Sequence, residues 1–242
     1  MPAASEGHSA LKYALLFAWA GAGLGLLAVT LSGWYLLLLW PALSCIAISL
    51  AYWPFGTRVF GKRLDGTMRA SSLIVLLPYL AYAWSAWHVL RIVLREDCQN
   101  QVTDNLTIGR RLLASELPKD IAVVVDLTCE FFEPKPIRTS REYWSFPLLD
   151  GVAPSPQAVV RIVQQLLGDD RHLFIHCAQG HGRTGLVAAA LLLARRSAAN
   201  PNGAVALMQT VRPQVRLSRE QMSCLENVFG LMREGGIGAG KG

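Results

Sequence analysis

The chain has 242 residues, enough for one compact domain of ordinary size and something smaller. Hydrophobic residues make up 52% of it and charged residues only 17%, an apolar excess concentrated in the first 95 residues. The formal net charge is +6, but Lys and Arg are spread out without a long basic run. That argues against nucleic acid as a partner and fits attraction to anionic lipid headgroups or phosphorylated molecules. The five cysteines, Cys45, Cys98, Cys129, Cys177 and Cys224, are odd in number and show no paired spacing, so neither a disulfide framework nor a metal site is indicated.

Residues 1–12 are small and polar and read as a short disordered lead. Residues 13–31 and 34–53 are stretches of 19 and 20 residues without a charge, parted only by Ser32 and Gly33. Each is long enough to cross a bilayer core of ~30 Å, so the pair predicts a helical hairpin. Gly21, Gly23 and Gly25 permit close helix contact. Trp34, Tyr35, Tyr52 and Trp53 stand at the ends, where interfacial aromatics belong. A cleaved signal peptide fits poorly, because the apolar run is too long and a second comes at once after it. A polar interval at 54–71 carries Arg58, Lys62, Arg63 and Arg69 against Asp65. Residues 72–90 are a third uncharged stretch, and its Pro78 is tolerated in a membrane helix. A buried bundle in a soluble protein would need a polar face that these runs lack. An all-α membrane segment of about three helices is therefore expected over residues 1–95, with the lipid bilayer as a partner.

Two guides to orientation disagree. The positive-inside rule puts the 54–71 interval in the cytoplasm and, with three crossings, sends the C-terminal part of the chain to the other side. A reactive cysteine downstream fits the reducing cytosol. A re-entrant stretch would reconcile the two, and the cytosolic side is the expectation adopted.

Residues 96–120 lead into a second domain, with a short strand expected at 106–110. The β-branched run at 121–127 predicts a central strand buried on both faces. Residues 129–142, with prolines and charges, read as a loop, and the apolar, aromatic run 143–149 as another strand. Asp150 and Gly151 begin a turn. Ser155 as N-cap and Pro156 at the first helical position open a helix to about 167. Next come a strand at 173–176, a Gly-rich loop and an Ala/Leu-rich helix to about 196. Helices are expected at about 203–211 and 218–233, the second capped by Ser218, and residues 234–242 read as a flexible tail. Strand and helix alternate, which predicts an α/β sheet with helices on its faces over 96–233.

The loop reads His176-Cys177-Ala178-Gln179-Gly180-His181-Gly182-Arg183-Thr184-Gly185. At a strand end and a helix start, it offers unpaired backbone N–H groups and the positive end of a helix dipole, which together bind anions. A thiolate at Cys177 would be stabilised there, and the thiolate is the nucleophile. Arg183 can turn a planar fork of donors toward a phosphate. A buried structural cysteine in a Gly-rich turn would explain neither the arginine nor the run of glycines.

The run His-Cys-x2-Gly-x-Gly-Arg-Thr-Gly resembles the phosphate-binding loop of the cysteine-dependent protein tyrosine and dual-specificity phosphatase superfamily. The stretch Pro147-x-x-Asp150-Gly151-x-x-Pro154-Ser155 resembles the acid loop of the dual-specificity type. The resemblance covers residues 104–233 and implies a central, mostly parallel sheet flanked by helices, without metal or other cofactor. It implies phosphate-monoester hydrolysis, with Cys177 as nucleophile and Asp150 as general acid. Residues 178–183 and the Arg183 guanidinium would hold the nonbridging oxygens, and the Thr184 hydroxyl would bond the departing thiolate. His176 orients the loop, and Gln179 and His181 face outward toward substrate or solvent. Asp126 is a rival acid, while Asp169 and Asp170 read as a solvated turn. Arg212 and Arg216 resemble the segment that packs behind the phosphate loop. The expectation is a membrane-anchored phosphatase acting on phosphotyrosine or mixed phosphoproteins. A lipid or inositol phosphate phosphatase and a silent phosphate-binding adaptor are the alternatives.

Overall fold

The computed structural model describes residues 8–237 and divides the chain into two compact units. Residues 1–7 of the expected lead and 238–242 of the expected tail lie outside the described residues, whereas residues 8–12, expected to be part of a disordered lead, are already helical.

One unit runs to Glu96 and includes Cys129–Glu133. It holds α1 (His8–Leu31), α2 (Leu39–Leu50) and α3 (Ala70–Val93). A 3-10 turn at Gly33–Leu38 leads into α2, and a π turn at Ala51–Phe55 and a 3-10 turn at Gly56–Phe60 come after it. Three stretches, Ser9–Leu31, Gly33–Phe60 and Ala70–Val93, are long and apolar enough to cross a membrane. Gly21 lets α1 and α2 touch: a Cβ there would come within 2.8 Å of Ile46 Cδ1 and 2.9 Å of the Ala42 carbonyl. Gly23 and Gly25 meet nothing within 4 Å. The Ser49 hydroxyl donates to the Ala14 carbonyl (2.7 Å), so α1 and α2 are antiparallel. Trp40 Nε1 donates to the Ile74 carbonyl (2.8 Å) and the Tyr79 N–H to Ser44 Oγ (3.3 Å). Rising numbers on α2 thus meet rising numbers on α3, and the two run in the same direction. Residues 51–69 accordingly double back, bringing Gly61 against Ser72 near the start of α3.

Tyr52 departs from the expected interfacial role. It is buried, stacked on Tyr13 with ring centroids 5.0 Å apart and on Phe17 at 6.1 Å. It fills the gap between α1 and the end of α2. Trp34, Tyr35 and Trp53 stay exposed. Trp84 donates from Nε1 to the Glu130 carbonyl (3.0 Å), and Phe131 and Phe132 meet Trp87 and Trp84 edge-on, which fastens Cys129–Glu133 to α3.

The other unit is a five-stranded sheet in the order β1-β2-β5-β3-β4. The strands are β1 (Gln99–Thr103), β2 (Leu106–Arg110), β3 (Val123–Thr128), β4 (Glu142–Leu148) and β5 (Leu173–Cys177). β1 pairs antiparallel with β2, and every other pairing is parallel. This is the expected mostly parallel sheet flanked by helices. Its helices are α4 (Lys135–Ser140), α5 (Pro156–Leu167), α6 (Gly182–Ala194), α7 (Pro201–Val211) and α8 (Arg219–Glu234). Val123, Val125 and Leu127 face the larger core with α5, α6 and α8, while Val124 faces a smaller one with Ile137 of α4. α6 is buried from Arg183 to Ala194, as a helix apolar all round must be.

Two elements differ from the sequence reading. β1 is polar, Gln-Asn-Gln-Val-Thr, so an edge strand carries no apolar alternation to betray it. α4 lies inside the expected loop 129–142, where Ile137 is its one buried residue and Pro134 takes the N-cap position. The cap expectations agree with the structure: Ser155 Oγ accepts the Ala158 N–H, and Ser218 forms a capping box with Gln221. α7 starts two residues early, with Asn200 as cap and Pro201 in its first turn. After α8 the chain folds back, the Ile237 N–H donating to the Met232 carbonyl (2.9 Å).

Candidate active site

β5 ends at Cys177 in the middle of the sheet, between β2 and β3, and α6 begins five residues later. The turn between them is tight because Gly180 adopts φ +74°, a left-handed conformation suited to glycine. A Cβ at that position would lie 2.3 Å from the carbonyl carbon of Gly109. So close an approach brings the Gly180 N–H to 3.3 Å from Cys177 Sγ, to which it donates. Cys177 is itself buried. His181 stands at the N-cap of α6 without a side-chain capping bond. Gln179 and His181 are half-exposed.

Arg183 lies in the first turn of α6 and is 1% exposed. Its Nη1 donates to the Leu148 carbonyl (3.0 Å), and its Nη2 pairs with Asp150 Oδ1 at 3.1 Å. The guanidinium therefore joins the phosphate-type loop to the segment that carries Asp150. Asp150 is the exposed partner, and Gly151 beside it turns with φ +73°. The far end of that segment is held by Cys224, whose thiol donates to the Pro154 carbonyl (3.2 Å).

Thr184 is fully buried, and its Oγ1 has no hydrogen-bond partner. The sequence reading aims that hydroxyl at the sulfur. In this resting arrangement the sulfur instead accepts from Gly180. His176 is buried on β5 and stacks on Phe174, with centroids 5.3 Å apart, a place suited to orienting the strand end. Ala178 accepts the Arg111 N–H through its carbonyl (3.2 Å), and a Cβ on Gly182 would meet the Gln221 side chain at 3.1 Å.

Asp126, the rival acid, is fully buried on β3 and accepts from the Thr128 N–H, the Thr128 hydroxyl and the Tyr143 hydroxyl. A carboxylate held by three donors is a structural hub. Asp169 is no solvated turn either: it is nearly buried and paired with Arg171 at 2.6 Å. Hydrogen bonds from Arg171 hold its carboxyl below the usual carboxylate range. Arg212 sits behind the loop with 1% exposure, and Arg216 is exposed.

The assembled groups are a buried thiol in the turn that leads into a helix, a buried guanidinium in the first turn of that helix and an exposed carboxylate paired with that guanidinium. They can receive a tetrahedral oxyanion and pass a proton to or from it.

Residues 113–228 match a family model described as PTP-SAK, a Swiss Army Knife protein, DSP-PTPase phosphatase domain. Among solved structures, the chain is similar to a mutant form of Tk-PTP, with 22% identity and a TM-score of 0.50, over 56% of this chain and 97% of that one. It is also similar to the active form of Tk-PTP, with 23% identity and a TM-score of 0.49, over 55% of this chain and 97% of that one. For PTPMT1 in complex with PI(5)P the identity is 17% and the TM-score 0.49, over 57% of this chain and 98% of that one. A comparison with curated proteins finds no match.

Proposed function

We propose that this chain, which belongs to the cysteine-dependent protein tyrosine and dual-specificity phosphatase superfamily, hydrolyses phosphate monoesters through a cysteinyl-phosphate intermediate. The observation that carries the reading is the Arg183 fork, which joins the helix start beside Cys177 to the Asp150 segment. In the first step the Cys177 thiolate attacks phosphorus, the bond to the leaving oxygen breaks, and that oxygen takes the proton of Asp150. Arg183 exchanges Asp150 for two phosphate oxygens as substrate arrives, and the N–H groups of residues 178–183 hold the rest. In the second step the Asp150 carboxylate takes a proton from water, and the water oxygen attacks phosphorus. The sulfur leaves as thiolate, helped by the unsatisfied Thr184 hydroxyl.

The substrate we infer is a phosphotyrosine or mixed phosphoprotein, met at a membrane by a catalytic domain that the three apolar stretches anchor. The same anchors favour a second reading, in which a lipid or inositol phosphate is drawn from the bilayer itself. The catalytic domain is assigned to the cytoplasmic side, where a thiolate stays reduced.

Purified full-length protein should hydrolyse para-nitrophenyl phosphate without added metal, and Cys177→Ser should abolish the activity. Retained activity in Cys177→Ser rejects the mechanism. A panel of phosphopeptides against phosphatidylinositol phosphates in vesicles separates the two substrate readings.

A further inference from the structure

We infer that Arg212 is a positioning residue of the phosphate loop, held in register by Asp97 and Asn100 at the head of β1. The inference rests on the phosphatase reading of this site and extends it to residues outside the loop.

Arg212 comes just after the last turn of α7, and four acceptors surround its buried guanidinium. Its Nε donates to the Gly180 carbonyl at 3.1 Å and Nη2 to the Gln179 carbonyl at 3.0 Å. Its Nη1 donates to the Asp97 carbonyl and to Asn100 Oδ1, both at 2.8 Å. A buried cation is tolerated only when its donors are met, and these acceptors meet them.

Amide geometry carries this hold into the loop. In a trans peptide the C=O and the N–H of the next residue point opposite ways. Holding the Gln179 carbonyl toward Arg212 turns the Gly180 N–H the other way. Holding the Gly180 carbonyl there does the same for the His181 N–H. The first of these N–H groups already donates to Cys177 Sγ. Arg212 thus fixes two peptide planes in the orientation that serves sulfur and phosphate, and adds positive charge behind them.

The anchor at the other end is equally close. A Cβ on Gly180 would overlap Gly109, and a Cβ on Gly109 would lie 2.3 Å from the Cys98 carbonyl. Residues 97–100, β2 and the loop are stacked backbone on backbone, with Arg212 bridging the outer two layers. The seating of β1, the first strand after α3, is therefore transmitted to the loop.

The test uses the full-length chain in detergent micelles, comparing wild type with Arg212→Gln, Arg212→Lys and Asn100→Ala. Three quantities are read: kcat and KM for para-nitrophenyl phosphate, inhibition by inorganic phosphate, and the phosphate concentration that half-protects Cys177 from iodoacetamide. Thermal midpoints are recorded alongside. Arg212→Gln should lower kcat/KM by about 10²-fold, the scale of losing one oxyanion donor, and weaken both phosphate readouts. Arg212→Lys should recover part of that loss. Asn100→Ala should weaken phosphate protection about three- to tenfold, the scale of one hydrogen bond, while melting with the wild type. The inference is overturned if Asn100→Ala and Arg212→Lys both protect Cys177 as the wild type does, or if every loss only tracks melting. A wild type that fails to hydrolyse the ester refutes the phosphatase reading instead, while iodoacetamide protection still judges Arg212.

Discussion

Gly180→Ala probes the link between backbone packing and the chemistry of the loop. The residue sits at φ +74°, where an L side chain costs roughly 1–2 kcal/mol. The added methyl would meet Gly109 C and O at 2.3 Å and Arg110 N at 2.7 Å. All three are backbone atoms of β2, so no side chain can swing aside, and overpacking of this kind costs roughly 1–3 kcal/mol. The sum is about 3 kcal/mol, or about 10 °C in the melting of a domain of this size. The loop must also move off β2, which takes the Gly180 N–H away from Cys177 Sγ. Phosphate inhibition should weaken by about 10²-fold, the scale of one lost oxyanion donor. Gly230→Ala is the control. It lies in α8 with no atom within 4 Å of the new methyl, and the better helix former should gain up to about 1 kcal/mol. Both variants are compared in detergent by thermal melting and by phosphate inhibition. If Gly180→Ala melts and binds phosphate like the wild type, the contact with Gly109 is compliant and the loop is not held rigid by it.

Three further outcomes are expected. Asp150→Ala should lower kcat on para-nitrophenyl phosphate by about 10²–10³-fold, within the range for general acid–base catalysis, while inorganic phosphate still protects Cys177; unchanged turnover places the acid elsewhere. The folded-state pKa of Asp169 is depressed by Arg171, so its contribution to stability is present above the unfolded value of about 3.9 and is lost as pH falls through the lower folded value. Arg171→Gln should therefore melt earlier than wild type at pH 6, and the gap should close on acidification below about pH 3.9; a gap that persists in acid shows that Arg171 acts through packing. Because α1 opposes both α2 and α3, the start of α1 and the end of α3 lie at the same end of the helical unit, and in a bilayer spanned by all three helices they would share a side. Ser9→Cys and the native Cys177 should then react with an impermeant maleimide from the same side, whereas three simple alternating crossings would expose them to opposite sides.

The parts legible in the sequence are those whose signal is local. Phe174 and Ile175 beside a Gly-rich turn announce a strand entering a helix, and Ser155 and Ser218 announce helix starts, because each rests on neighbours within a few residues. Cys177, Arg183 and Asp150 carry a spacing pattern, and the fold brings the last two within 3.1 Å. What was hidden depends on partners far along the chain. β1 is recognisable only through β2, since Gln99 to Thr103 have no apolar face of their own. The direction of α3 is set by Trp40 and Ser44, more than thirty residues upstream, and composition gives the length of a span without its sense. Tyr52 looks interfacial by position and is buried because Tyr13 and Phe17 supply its stacking surface. Asn100 is the extreme case. As a polar residue in a polar strand it has no motif and no periodicity, yet it bonds an arginine 112 residues away that grips the phosphate loop. A spacing motif can thus be read from a few adjacent letters, whereas the distant groups packed against it are chosen by topology. The variants that best separate mechanism from scaffold are therefore at Arg212 and Asn100, outside the motif.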